Sequence, residues 1–577
     1  MLFPRPFRSI PGRSSRSKGS CRAVSAGALA WLLSAAGLFA EAPASDPGQG
    51  LVQKPIFEEW VVVVLGGKTC GFGSTVTTKT DAPSGPHYVT AHHEEFVVKR
   101  LGTNLKIVES SKVTEDAEGG VLSFDQVSES GSSVEARGLR DGDEIVVTSR
   151  GQTQRFYLPR LSALGPEAVR RLTNAVPLKP GQPFSFDTFD PDYPQGIVEE
   201  KGNVVGEETH DVRGVPRKLW KLTSGVSYMP ELLSTFWVDD QSNDVESLTV
   251  MPGIGKLHEY VTDRAECMKQ PEGAEIFAGS LIKPDRALPA PHDLGRAVYR
   301  LIPLDPGRKL TLWDGGEQRV LSSEPGECEV EVTAPRFTAA DANWELPHAD
   351  TPELHRYLQA SSYLEVDSPE IQTLARQAVG DEKNPVRAAH RIEKFVRGYI
   401  TKKDLNIGFG SAEETAKSRE GDCTEHAVLC AALGRAAGLP TRCVVGFGYI
   451  PPGEMEPTIA NASDAATGIF GFHMWAEAWI GPDEWQPMDA ALDGFDVGHI
   501  AITKSALEEV NPIVDLNVPV LQMMQSLKIV IVQTVPKSEM PARVAKAPPR
   551  APSGAAPMQI PPQTTPAPAS NGLPPLD

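Results

Sequence analysis

The chain has 577 residues, more than one hydrophobic core supports at the usual size of about 100–200 residues per domain, so three or four folded units are expected. Its 40% hydrophobic content can fill several cores, and seven cysteines are too few for a scaffold held mainly by disulfides. A formal charge of −19, with basic clusters only near the N-terminus, excludes nucleic acid as an expected partner, because such binding rests on neutralising phosphates.

The N-terminus reads as a leader. Arg5, Arg8, Arg13, Arg16, Lys18 and Arg22 precede an uncharged run from Ala23 to Ala40 that includes Leu29, Trp31, Leu32, Leu33, Leu38 and Phe39. Ala40-Glu41-Ala42 then offers the small-x-small pattern of a signal-peptidase site. Residues 1–42 are therefore expected to be a signal peptide, with 43–54 a linker and the protein periplasmic or extracellular. An uncleaved membrane anchor is the alternative. Cleavage would leave 50 Lys and Arg against 74 Asp and Glu, a charge of −24. It would also leave six cysteines, Cys70, Cys267, Cys328, Cys423, Cys430 and Cys443, whose wide spacing predicts at most one or two bridges.

Residues 55–350 read mostly as strands. Trp60-Val-Val-Val-Val-Leu65 ends at Gly66-Gly67, Asp143-Glu-Ile-Val-Val-Thr148 follows Asp141-Gly142, and Leu248 to Thr262 reads as two strands about Pro252-Gly253. A weak repeat at an offset of about 111 residues aligns Leu122–Thr148 with Ser234–Thr262, so 55–280 is expected to be a β-rich region, two related modules being one reading of it. A further β segment spans 281–350. His87, His92 and His93 lack convergent Cys or carboxylate spacing and read as surface histidines.

Helical spacing begins near Pro369. In Pro385–Ile400 the residues Val386, Ala389, Ile392, Phe395, Val396 and Tyr399 recur at three and four, one buried face of a helix that opens on proline. Thr401–Glu420 reads as a polar loop. Residues 536–577 hold 12 prolines without an apolar period, the composition of a disordered tail.

Chemistry concentrates between these segments. Gly421 to Pro440 reads as a helix capped by Asp422 and stopped by Gly438 and Pro440. Cys423 then falls in the first turn, where unpaired backbone N–H groups and the positive end of the helix dipole favour a thiolate and an oxyanion beside it. Fifty residues on, Phe472-His-Met-Trp-Ala-Glu-Ala-Trp-Ile480 alternates as a strand, turns at Gly481-Pro-Asp-Glu484 and returns as Trp485-Gln-Pro-Met-Asp-Ala490. In an antiparallel hairpin two residues share a face only if their numbers sum to the parity of the register. His473 and Asp489 sum to an even number. A three-residue loop pairing Ile480 with Glu484, or an equivalent bulge, is therefore expected, and it puts His473, Trp475, Trp485 and Asp489 on one face. Trp479 and Trp485 read as core. Cys423, His426 and Cys430 also share a helix stripe, but ligands strung along one axis do not converge on a metal, so no metal is expected there.

Together, Gly421-x-Cys423, Ala437-Gly-Leu-Pro440, Thr441-Arg-Cys-Val-Val-Gly446-Phe-Gly-Tyr449, His473-x-Trp475-x-Glu477 and Trp485-x-x-x-Asp489 resemble the transglutaminase-like superfamily, a papain-related cysteine domain. The resemblance covers about 105 residues. It implies an α+β fold, with a papain-like core of helices plus an antiparallel sheet over about 365–535, preceded by the β-rich modules. It implies Cys423 as nucleophile, His473 as general base and acid, and Asp489 as the carboxylate that orients it, with no cofactor and no metal. The expected activity is acyl transfer to an amine or hydrolysis of protein or peptide amides through a Cys thioester, with association with the cell envelope. A binding or scaffold protein with an inactive domain is the alternative.

Overall fold

Alternation of apolar and polar residues, broken by Gly and Asp turns, produces a long antiparallel sheet in the first half of the chain. The computed structural model describes residues 54–541 except 101–102, 130–132, 190–196, 228–232, 252–254, 277–280, 403–408, 454–463, 509–515, 517–522 and 524–526. The leader, nearly all of the linker, the Pro252-Gly253 turn and the tail beyond 541 thus lie outside the described residues. Strands β1 (Phe57–Leu65), β2 (Lys68–Ala82), β3 (Gly85–Arg100), β4 (Thr103–Glu115), β5 (Val121–Glu129), β6 (Ser133–Asp141), β7 (Glu144–Ser149) and β8 (Gln152–Tyr157) each pair with the next. After helix α1 (Pro166–Asn174), strands β9 (Pro183–Phe189), β10 (Ile197–Val212), β11 (Val215–Val226), β12 (Leu233–Val238), β13 (Asp244–Met251) and β14 (Gly255–Thr262) do the same, and β14 closes on β1. Both runs therefore belong to one sheet, and the two stretches aligned by the weak repeat are each a three-strand meander within it.

The sheet curls on itself. Leu164 bridges to Gly120 and to Thr188, and Phe189 packs against Phe124 and Phe156 with ring centroids 5.2 and 6.5 Å apart, so its two ends meet. His92 corrects the surface reading. Strand alternation turns it inward with Glu94, where it lines a cavity of about 60 Å³ with Glu59 and Glu259, and Thr75 hydrogen-bonds its Nδ1 at 3.0 Å. A two-residue strand β15 (Ala274–Glu275) pairs parallel with β3.

Two four-stranded antiparallel sheets follow. The first is ordered β17 (Gln318–Glu324), β18 (Glu327–Thr333), β16 (Leu294–Pro303) and β23 (Leu527–Pro536). The second is ordered β21 (Glu484–Met488), β20 (Ile469–Gly481), β19 (Thr441–Ile450) and β22 (His499–Ser505). Residues 281–350 and 527–536 thus build one sheet, although about two hundred residues separate them. Of helices α2 (Pro369–Val379), α3 (Pro385–Tyr399), α4 (Ala412–Ser418) and α5 (Cys423–Ala436), α5 packs on β19 and β20, α3 packs on β20, and α2 and α4 pack on α5, with one hydrophobic core running through all of these elements. Helix α4 occupies part of the stretch read as loop. Its start is a capping box in which Ser411 accepts from Glu414 N–H and Glu414 accepts from Ser411 N–H, a Ser-x-x-Glu signal present in the sequence.

The curled sheet touches this second half through Arg150, a non-glycine residue at positive φ in the β7–β8 turn. Its guanidinium reaches Glu414 at 3.2 Å, lies 3.8 Å from Glu365 and stacks over Tyr363 at 5.0 Å. Only 11% of the side chain remains exposed. Glu414 is partly solvated, which discounts the ion pair, so Arg150→Ala should cost about 1–2 kcal/mol. Calorimetry of the single and double variants checks this. In the Arg150→Ala background, where only its capping bond remains to be lost, Glu414→Ala should cost less than in the native chain, whereas full additivity would mean that the pair contributes nothing.

Candidate functional site

Helix α5 starts where the sequence places its cap. The Asp422 carboxylate accepts from Thr424 N–H at 2.9 Å, and Glu425 accepts from Asp422 N–H at 2.9 Å, a reciprocal box around the first turn. Glu425 also accepts from Gly410 N–H at 2.8 Å, which ties the incoming chain to the helix. Burial, then the neighbouring Asp422, pushes the Glu425 carboxyl up to about 8. Cys423 is the first residue of α5 and is half-buried, at the start of a helix that packs across β20. His426 turns its Nδ1 back to Asp422 O at 2.5 Å. Cys430 lies fully buried in the core, where burial holds its thiol well above the ordinary range. Neither belongs to a metal-like cluster among the described residues, and none of the six described cysteines is disulfide-bonded.

The β20–β21 hairpin brings His473 and Asp489 together. Its register is set by a bulge rather than by a three-residue loop. Gly481 rather than Ile480 pairs with Glu484, and a one-residue shift between Trp479 and Gly481 sets Trp479 opposite Trp485. That bulge restores the even sum, so the extra residue replaces the longer loop. His473 Nε2 lies 2.8 Å from Asp489 Oδ2, both buried. Trp475 stacks beside the imidazole at 6.0 Å, while Trp479 packs on Trp344 and Trp485 packs under the Arg442 guanidinium at 3.8 Å.

Asp489 is held from every side. Its Oδ1 accepts from the N–H groups of Ala491 at 2.9 Å and Leu492 at 3.2 Å. Its own N–H donates to Glu393 of α3 at 3.0 Å, and Arg397 of α3 donates to its carbonyl at 3.0 Å. Burial alone would raise this carboxyl, but His473, and with it His499, holds it well below the usual carboxylate range.

His499 is the residue that sequence reasoning missed. Its Nε2 lies 2.9 Å from the same Asp489 Oδ2. The only sequence hint is Asp496-x-x-His499, too common a spacing to single out. On β19, Gly446 pairs with His473 on one side and Gly448 pairs with His499 on the other, and it is Gly448 that makes room for the His473 ring. A Cβ on Gly448 would stand 2.9 Å from His473 Cγ. His473, Asp489 and His499 form a cluster of a density that could hold a metal. Here, however, both Nε2 atoms point at one carboxylate oxygen at hydrogen-bond distance, an arrangement satisfied by ring protons.

Two residues beyond Trp475 on β20, Glu477 lies buried between Arg442 at 2.8 Å and Lys504 at 2.9 Å. Despite burial, Lys504 and Arg442 hold its carboxyl below the ordinary range. Lys504 itself is lowered, because burial and the adjacent Arg442 outweigh the attraction of Glu477. The stability that Glu477 contributes is present above about pH 4.5 and lost as pH falls. Glu477→Gln should therefore cost about 3–5 kcal/mol at pH 7, since it leaves two cations buried without their counter-ion. The gap should narrow in acid, as denaturant unfolding at pH 7 and pH 4 would show.

Residues 372–490 match the model of the transglutaminase-like superfamily, so this chain carries a transglutaminase-like domain. An uncharacterised protein of Haemophilus influenzae is 28% identical over 151 residues, 24% of this chain and 40% of that protein, so the match spans less than half of the relative. Solved structures similar in part include one described as a candidate cysteine protease from Cytophaga hutchinsonii, at 15% identity over 41% of this chain and 85% of that one, TM-score 0.27. A β-barrel-like protein from Brucella abortus shares 13% identity over 36% of this chain and 95% of its own, TM-score 0.27. The periplasmic domain of TgpA from Pseudomonas aeruginosa shares 13% over 36% of this chain and 88% of its own, TM-score 0.22. No helix among the described residues is long and apolar enough to cross a membrane.

Proposed function

We propose that this transglutaminase-like domain is an exported cysteine acyl transferase or amide hydrolase acting on protein or peptide substrates, with Cys423, His473 and Asp489 as its triad. The observation that carries the reading is the 2.8 Å hydrogen bond between His473 Nε2 and Asp489 Oδ2, made on the strand crossed by the helix that opens at Cys423. With Nε2 committed to the carboxylate, Nδ1 is the nitrogen left to exchange a proton with the sulfur.

The chemistry then follows in balanced steps. The Cys423 proton passes to His473, and the thiolate, favoured by the positive end of the helix dipole, attacks an amide carbonyl. The positive field at the start of that helix stabilises the oxyanion. The C–N bond breaks as His473 returns the proton to the departing amine, which leaves a thioester on Cys423. Water, deprotonated by His473, releases an acid. An amine in its place gives a new amide. Asp489 remains ionised throughout and supports the positive charge on the ring. No step calls on a metal or organic cofactor. The leader-like N-terminus supports export, and with it a substrate in the cell envelope or outside the cell.

Iodoacetamide should label Cys423 at near-neutral pH faster than an unfolded-chain thiol, and labelling no faster than that would refute an activated nucleophile. Incubated with a glutamine-containing protein and a labelled amine, native protein should incorporate label or release ammonia or peptide, and Cys423→Ala should do neither. Asp489→Asn should retain the fold and lose about a hundredfold or more in rate, because the imidazole loses its orienting charge.

A further inference from the structure

We propose that His499 is a positioning residue of this site: a buried imidazolium that shares Asp489 Oδ2 with His473, fixes the carboxylate, and limits how strongly it holds the proton on His473. The proposal deepens the triad reading and rests on it. Its geometric basis is that both ring nitrogens of His499 face carboxylate oxygens, Nε2 at 2.9 Å from Asp489 Oδ2 and Nδ1 at 3.1 Å from Asp496 Oδ1. A neutral ring has one N–H and can serve only one of them. The Asp496 N–H, 3.2 Å from Nδ1, would suit the neutral form, but a neutral ring would leave two buried carboxylates without a cation between them. Burial opposes the charge, yet hydrogen bonds to Asp489 and Asp496 raise the ring to about 9.

The surroundings fix the ring rather than merely enclose it. Phe495 stacks on it at 4.6 Å, and Trp475 meets it edge-on at 5.3 Å. Strand β22 is clamped two residues later, where Gln318 of β17 donates to Ala501 O and accepts from Ala501 N–H, each at 2.8 Å. The titratable groups around His499 are Asp489 and Asp496 in contact and His473 on β20 with ring centroids 5.4 Å apart. Beyond them stand Glu393 and Arg397 of α3 behind Asp489, Tyr299 of β16 near Asp496, and His292, 3.3 Å from Asp496 Oδ2.

The consequence is electrostatic. Two cations facing one carboxylate oxygen divide its field, so the charge on His499 makes the imidazolium of His473 a readier proton donor to a leaving amine. Removing the His499 charge should move the alkaline limb of the site upward. Full-length protein and its His499→Gln and Asp496→Asn variants would be alkylated with iodoacetate from pH 5 to 10, since this anion reports the imidazolium as well as the thiolate. The alkaline limb should rise by about one pH unit, a tenfold change in the proton equilibrium, in His499→Gln. It should rise by less in Asp496→Asn, which keeps His499 in place and serves should the first variant fail to fold. A His499 that only fills space would lower the melting temperature and leave the limb unmoved, and that result overturns the proposal. In ¹⁵N-histidine-labelled Cys423→Ala protein, His499 should be doubly protonated at pH 7.5, and a neutral ring there overturns it too. Because that measurement needs no reaction at sulfur, an unreactive native thiol would count against the acyl-transfer reading alone.

Discussion

One buried oxygen, Oδ2 of Asp489, organises the site. An ionised carboxylate taken out of water costs several kcal/mol unless it is paired and its lone pairs are filled. Here two imidazoles share one oxygen, and two backbone N–H groups fill the other. Satisfying that single charge draws together three separate pieces of chain: β20 through His473, the turn after β21 through Ala491 and Leu492, and β22 through His499. Helix α3 completes the hold by gripping the Asp489 backbone.

The same logic recurs nearby on the sheet. Glu477 sits between Arg442 and Lys504, with Trp485 and Trp313 over the cations. Two buried carboxylates, each saturated by cations or N–H groups, thus anchor this hairpin. The curled N-terminal sheet joins the arrangement through Arg150, whose partner Glu414 caps the helix just before Cys423. The chain leading to Cys423 is thus braced by a module about 270 residues away in sequence.

Much of this was legible in the chain. The helix beginning at Cys423, its Asp422 cap and its Gly438 stop depend on local rules, and so does the parity linking His473 to Asp489. The parity is met through the bulge, because the extra residue at Ile480 does for the register what a three-residue loop would have done. Helix α4 was missed although Ser411 and Glu414 announce it, since its seven residues are too few to display a hydrophobic period. His92 was misjudged because a strand's inner face can be polar when the sheet curls around a small acidic cavity.

What the sequence determined by itself is the set of local structures that present a thiol, an imidazole and a carboxylate, because helix starts and strand alternation are properties of neighbouring residues. What only the tertiary structure decided is the electrostatic setting of those groups. The pairing of β19 with both β20 and β22 brings His499 to the oxygen that His473 already uses, and Gly448 leaves the room for the His473 ring. Such a convergence depends on strand order and on the absence of side chains across a sheet, and neither is written into the spacing of residues along the chain.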